Sequence, residues 1–240
     1  MIGISFIIIV LVAILNPGGT QAGVAIEQRI TISARGEPSS VRNRTLMVQG
    51  DKEKFQIDDH VSVVIDVANP IATMLDYANK TFREVRLGNI LGTTLDPNYL
   101  LYISFKPTGQ TRELLGFKCR DYTAITYEGP AVTATTVCFS SDAAGSDDFS
   151  RFIKLIVGRP GLAIPVPAGI PLIIESTRRI NPAFSPLGIQ AKEAVRFKTL
   201  IAKIPPQVTQ VVVTKVTSEK LSPDVFNSPA GYTRLGPRPH

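Results

Sequence analysis

The sequence predicts an α+β fold, a long antiparallel sheet with a helix on it, and three observations carry that expectation. Apolar residues recur with period two along much of the chain, as in strands with one dry and one wet face. These stretches are short and separated by turns of a few residues, so consecutive strands pair antiparallel. One segment, Asp147–Val157, instead carries apolar residues at helical spacing: Phe149, Phe152, Ile153 and Ile156 fall at i, i+3, i+4 and i+7.

The chain opens with an apolar run, Ile4–Leu15, ended by Pro17 and Gly18. Its 12 residues are fewer than the roughly 20 a bilayer-crossing helix needs. Thr20-Gln21-Ala22 puts small residues where a signal peptidase cuts. That predicts a signal peptide over residues 1–22 and an exported body, periplasmic or secreted, from Gly23. No Lys or Arg precedes the run, so a retained N-terminal membrane anchor stands as the alternative.

Val24, Ile26, Ile30 and Ile32 alternate with polar or small residues and define the first strand. Further strands follow at Val41–Gln49, Glu53–Ile57, Val61–Val67, Ala72–Leu75 and Lys80–Arg86. Turns rich in Gly, Asp, Asn and Pro separate them. Leu87–Asn98 reads as irregular with a short helix. Tyr99–Lys106 reads as a strand and Pro107-Thr108-Gly109-Gln110 as a turn. Phe117–Tyr127 and Ala131–Ser140 form a hairpin about Glu128-Gly129-Pro130. Ser146 is placed to cap the helix, with Asp147 and Asp148 at its N-terminal end and Lys154 near its C-terminal end. Gly158–Pro171 is an apolar insert rich in Pro and Gly, either a lid or a plug. Leu172–Ile180, Ala194–Ala202 and Val208–Glu219 read as strands, and the tail from Gly236 as unstructured. Residues 23–235 make one domain.

The two cysteines, Cys119 and Cys138, form an even count in a chain expected to be exported, which favours one disulfide. A hairpin tip near Gly129 brings the same two positions close together.

Net charge is +6, with basic residues scattered rather than in blocks. The pattern excludes a nucleic-acid footprint and is compatible with attraction to an anionic membrane surface. Trp is absent, which argues against a stacking platform for bases or sugars. Catalytic signals are missing: no Gly-x-Ser-x-Gly elbow and no phosphate loop occurs. His60 lies in an Asp58-Asp59-His60 turn, where turn formation accounts for all three residues. Asp142, Asp147 and Asp148 are accounted for by helix capping rather than calcium. The expectation is a non-enzymatic protein with no cofactor and no metal.

The apolar strand positions define a candidate ligand surface: Ile30, Ile32, Leu46, Val48, Phe55 and Ile57, then Val63, Ile65, Met74 and Phe82. Phe152 and Ile156 of the helix join them. Residue types alone leave open whether these line a cavity or fill a core.

Five segments in order resemble an uncharacterised family of exported bacterial proteins. They are Asp76-Tyr77-Ala78-Asn79-Lys80-Thr81-Phe82, Thr108-Gly109-Gln110-Thr111, Gly116-Phe117-Lys118-Cys119, Gly169-Ile170-Pro171-Leu172 and Phe226-Asn227-Ser228-Pro229-Ala230-Gly231-Tyr232. The resemblance implies a remote likeness in fold to periplasmic lipoprotein carriers. There, a strongly curved antiparallel half-barrel covered by one or two helices receives acyl chains. It implies a lipid or lipidated protein as partner and brings no catalytic residues. This chain departs from many members in lacking Trp in the strand of Cys138 and in carrying the insert Gly158–Pro171. The alternative is a structural or sensory envelope module with a filled core and a protein partner. Oligomeric state is not legible.

Overall fold

Two meanders meet at the middle of one sheet. The computed structural model describes residues 22–34, 36–87, 104–128, 131–157, 165–181, 199 and 204–236. The first meander comprises β1 (Gly23–Ala34), β2 (Ser40–Gln49), β3 (Lys52–Gln56), β4 (Val61–Asp66), β5 (Ile71–Asp76) and β6 (Thr81–Arg86). The second comprises β7 (Lys106–Leu114), β8 (Phe117–Glu128), β9 (Ala131–Ser140), β10 (Ile170–Ile180) and β11 (Gln207–Glu219). The only α-helix among the described elements, α1 (Ser146–Val157), interrupts the second meander. The chain then makes a 3₁₀ turn at Pro223–Phe226 and a two-residue strand, β12 (Thr233–Arg234). Strand order is β12-β6-β5-β4-β3-β2-β1-β11-β10-β9-β8-β7, an open sheet of 12 strands with β11 paired to β1.

The α+β expectation is therefore corrected: the described residues form a mostly-β fold, with α1 the one α-helix among their elements. All pairings are antiparallel except that of β12 with β6, so the sheet is mixed. Scale explains why α1 alone does not cover it. Twelve strands at about 4.8 Å span roughly 50 Å, whereas a 12-residue helix is about 18 Å long. Accordingly α1 makes its main contacts with β1, β2 and β10.

The first meander turns on aspartates. Asp58 Oδ1 accepts from the backbone N–H of His60 and of Val61, both at 2.8 Å. Asp66 and Asp76 each accept from the Asn three residues on, through backbone and side-chain amide. Both carboxyls are held below the usual range. Burial pushes Asp66 up, but the Asn69 bonds and Lys52 outweigh it; at Asp76 the Asn79 side-chain and backbone bonds dominate. His60 is thus a turn residue.

The second meander departs from the expected plan. The Pro107–Gln110 turn is absent; these residues lie inside β7 as an irregularity between Pro107 and Thr111. The β7–β8 turn is instead Leu115-Gly116, both with positive φ (56° and 78°), a two-residue link that matches strand twist. The disulfide Cys119–Cys138 is present, with Cα atoms 5.3 Å apart. Its cysteines lie diagonally, since Asp121 faces Cys138. Ser146 is not a cap but the first helical residue, and its hydroxyl donates to the Ser141 carbonyl at 2.6 Å.

Two cores result. Val24, Ile26, Leu46, Val48, Phe152 and Leu172 anchor one beneath α1, which also takes in both cysteines. Val64, Leu75, Leu221 and Phe226 form the other, where the chain after β11 covers the opposite face of the first meander. Lys54 Nζ fastens that cover by donating to the Val225 carbonyl at 3.0 Å.

Residues 1–21, 35, 88–103, 129–130, 158–164, 182–198, 200–203 and 237–240 lie outside the described residues. With them fall the signal segment, most of Leu87–Asn98 and of Tyr99–Lys106, and most of Ala194–Ala202. The hairpin tip, the start of the apolar insert and the end of the tail fall there too.

Candidate functional site

Residues paired directly across an antiparallel sheet share a face, so the register sorts every strand side chain. One row runs Val216, Ile26, Leu46, Phe55, Val63 and Met74 from β11 to β5. A second runs Val137, Ile174, Val211 and Ile30 from β9 to β1. Both lie on the face of Val24 and Val48, against which Phe149 and Phe152 of α1 pack. Apolar rows on one face thus reach from β5 to β9.

The sequence-predicted ligand residues divide on this map. Ile30, Ile32, Leu46, Val48, Phe55, Val63, Ile65 and Met74 all share the α1 face. Leu46, Val48, Phe55, Ile65, Phe152 and Ile156 lie in one core with Val24 and Ile26. Ile30 is buried, Ile32 and Val63 are half-buried, and Met74 is 48% exposed. Phe82 is the exception: it pairs with Leu75 and packs on the opposite face in the second core. Ile57 lies past the end of β3 in the turn, 37% exposed.

Polar groups interrupt this face. Glu53 sits between Val48 and Ile65, its direct partners on β2 and β4. Burial pushes its carboxyl up to about 7, with the Arg44 charge pulling the other way. Arg44, two rows along β2, is lowered by burial, raised by Glu53 and lowered again by Arg42. Its Nε and Nη2 both donate to Oε1 of the buried Gln28, at 2.9 and 2.6 Å. Among the described residues nothing hydrogen-bonds the Glu53 carboxylate. These three were missed as site residues, although the signal was there. Gln28 is in phase with Ile26 and Ile30, Arg44 with Leu46 and Val48, and Glu53 with Phe55, each a polar residue at an apolar beat.

A second polar cluster lies in the other meander. Arg112 Nε donates to Oδ1 of buried Asp121 at 2.9 Å, and its Nη1 reaches Glu175 Oε2 at 3.4 Å. Arg112 Nη2 is buried without a partner. Beside α1, a hollow of about 190 Å³ is lined by Phe149, Ile153 and Val157 and by the insert residues Pro165–Gly169. This end of the insert is fixed. The Gly169 N–H donates to Ser150 Oγ at 2.7 Å, and at φ 111° a Cβ there would meet the Ser140 carbonyl at 2.3 Å. The hollow is smaller than the roughly 300 Å³ at which ligand pockets begin; two wider hollows, of about 570 and 510 Å³, lie over the second meander, one beside Cys119, Tyr122 and Phe139 and the other beside Ile125, Tyr127 and Thr135.

No protein-family model matches this chain, and no curated protein sequence does either. Among solved structures, PNGF-II in a C2 crystal is similar over 89% of this chain, at 16% identity and a TM-score of 0.38. This chain spans 31% of that one. A LolA superfamily protein from Nitrosomonas europaea is similar over 86% of this chain and 90% of its own, at 6% identity and a TM-score of 0.32. At these identities and scores the likenesses identify no activity.

Proposed function

We propose that this is an exported cell-envelope protein that binds an apolar or lipidated ligand without catalysis, on the sheet face beside α1. The observation behind this reading is the breadth of that face: apolar rows run from β5 to β9, while α1 makes its main contacts with β1, β2 and β10. Apolar ligands bind such surfaces through burial, at about 25 cal/mol per Å², with few polar contacts. The apolar run Ile4–Leu15 supports export, and the disulfide fits an oxidising compartment.

The test is native mass spectrometry of the chain expressed into an oxidising compartment, followed by solvent extraction. A co-purifying lipid is expected in the wild type and a severalfold lower yield in Met74→Asp. Met74 is exposed enough that this variant keeps its melting temperature. A clean apo mass overturns the reading. It would favour the module with a filled core and a protein partner, for which the complete burial of Phe152 and Val48 speaks.

A further inference from the structure

The wider hollow over the second meander, about 570 Å³, is within the size range of ligand pockets. The register gathers much of its lining on one face of β8. Lys118, Arg120 and Tyr122 follow at every second residue, and Thr111 and Phe139 are the direct partners of Arg120 on β7 and β9. Tyr122 and Phe105 both meet the Phe139 ring in T-shaped contacts, with centroids 5.8 and 5.7 Å away. An aromatic floor thus lies beside two cations. Lys118 and Arg120 are exposed, and among the described residues neither side chain has an ion-pair or hydrogen-bond partner. Lys118 faces Glu113 across the ladder without an ion pair to it. Arg112, on the opposite face, is by contrast held by Asp121 and Glu175. The one carboxylate in the lining, Asp142, already accepts from Ser141 Oγ at 3.1 Å. Lys118 and Arg120 stand about 7 Å apart along the strand, so both long side chains reach one group between them.

We infer that this hollow binds an amphiphilic phosphate monoester, its phosphate between Arg120 and Lys118 and its apolar body against Tyr122 and Phe139. The site lies at the β8 end of the sheet and does not rest on the apolar-ligand reading above. Charge complementarity selects the head. Two cations against one carboxylate leave a positive excess, and a monoester phosphate carries about −1.5 to −2 charge at pH 7. Its oxygens suffice for the guanidinium fork of Arg120, the ammonium of Lys118 and the hydroxyl of Thr111 together. The aromatic floor selects the body. A neutral chain gains nothing from the two cations, and a free phosphate gains nothing from the rings. A phosphate monoester with an apolar body uses both.

Calorimetric titration of the full chain tests this, with decyl phosphate below its micelle concentration, decanol and inorganic phosphate as probes. Wild-type protein is expected to bind decyl phosphate about tenfold more tightly than either of the others. Arg120→Gln and Lys118→Gln should each weaken decyl phosphate severalfold and leave decanol unchanged. Both side chains are exposed, so the melting temperature should hold. Asp142→Asn, which removes a like charge from the rim, should tighten decyl phosphate. Met74→Asp, which probes the face beside α1, should leave the decyl phosphate affinity as it is, so the two readings fail separately. Equal affinity for decyl phosphate and decanol overturns the inference, because charge then plays no part. Inorganic phosphate as tight as decyl phosphate overturns it in favour of a free anion. Unchanged decyl phosphate binding by the Arg120→Gln, Lys118→Gln double variant, or no binding by the wild type, overturns it as well.

Discussion

The two halves of the sheet arrive at the same meander by different means. In the first, strands β3–β6 are five or six residues long, and side-chain layers lie on both faces, α1 on one and the Leu221–Phe226 stretch on the other. In the second, β7–β10 run for 9 to 12 residues, a disulfide ties β8 to β9, and Ile125 and Tyr127 are about half exposed. Short strands make few ladder bonds and depend on burial. Long strands make many and can leave apolar side chains in water. The first half is therefore held by layers on both faces; the second shares the α1 layer through Cys119, Cys138, Ile170 and Leu172 and adds longer ladders and a covalent tie.

Three perturbations separate these modes. Removing the layer gives the largest effect. Phe152→Ala empties a site of zero exposure and should cost about 4 kcal/mol in urea unfolding. Hydrogen exchange should quicken first in β1 and β2. Equal quickening in β8 and β9 would show the halves to be one cooperative unit and break the distinction. Next, replacing Cys119 and Cys138 together by Ser opens a 19-residue link and should cost about 3 kcal/mol. The loss of protection should concentrate in β7–β9; a loss spread into β3–β6 would count against the comparison.

The smallest effect is conditional on pH. Glu53 has its folded pKa raised from 4.5 to about 7, so the native state binds the extra proton between those values. Stability attributable to this group is full below about 4.5 and falls as pH rises toward 7. Glu53→Gln should then melt with the wild type at pH 4 and higher than it at pH 8. The gain should be on the order of 1–3 kcal/mol. A pH-independent difference would assign the effect to packing in the layer instead.

The two modes were unequally legible in the sequence. Period-two alternation and Asp-led turns are local signals, so β1–β6 were placed close to their observed bounds. So was α1, whose apolar stripe points at the sheet. The β7 irregularity was read as a turn because Pro-Thr-Gly-Gln carries turn chemistry that pairing with β8 overrides. The Leu115-Gly116 turn was hidden by Leu115, a residue rarely found at φ 56°. The sorting of Phe82 to the far face needed the register, because a strand's phase does not say which face is inward. The fold class failed on cover: one helix was visible, but what shields a sheet of this width is set by tertiary packing. Glu53 and Arg44 were readable as positions and not as a pair, since their coupling exists only across β2 and β3.

The seam between the halves has a kinetic consequence. Ile26 pairs with Val216, so the centre of the sheet joins the beginning of the described chain to nearly its end. Loop-closure entropy for that contact is spent before any of its bonds form, which places this protein among slow, high-contact-order folders. Until β11 is made, the first meander shows a bare β1 edge and the second a bare β10 edge, both rich in Ile. The finished outer edges are guarded, one by a two-residue strand and the other by Pro107 and its irregularity. The inner ones are guarded only by β11. A chain ending before Gln207 would expose them permanently, and its fate is aggregation rather than a smaller fold.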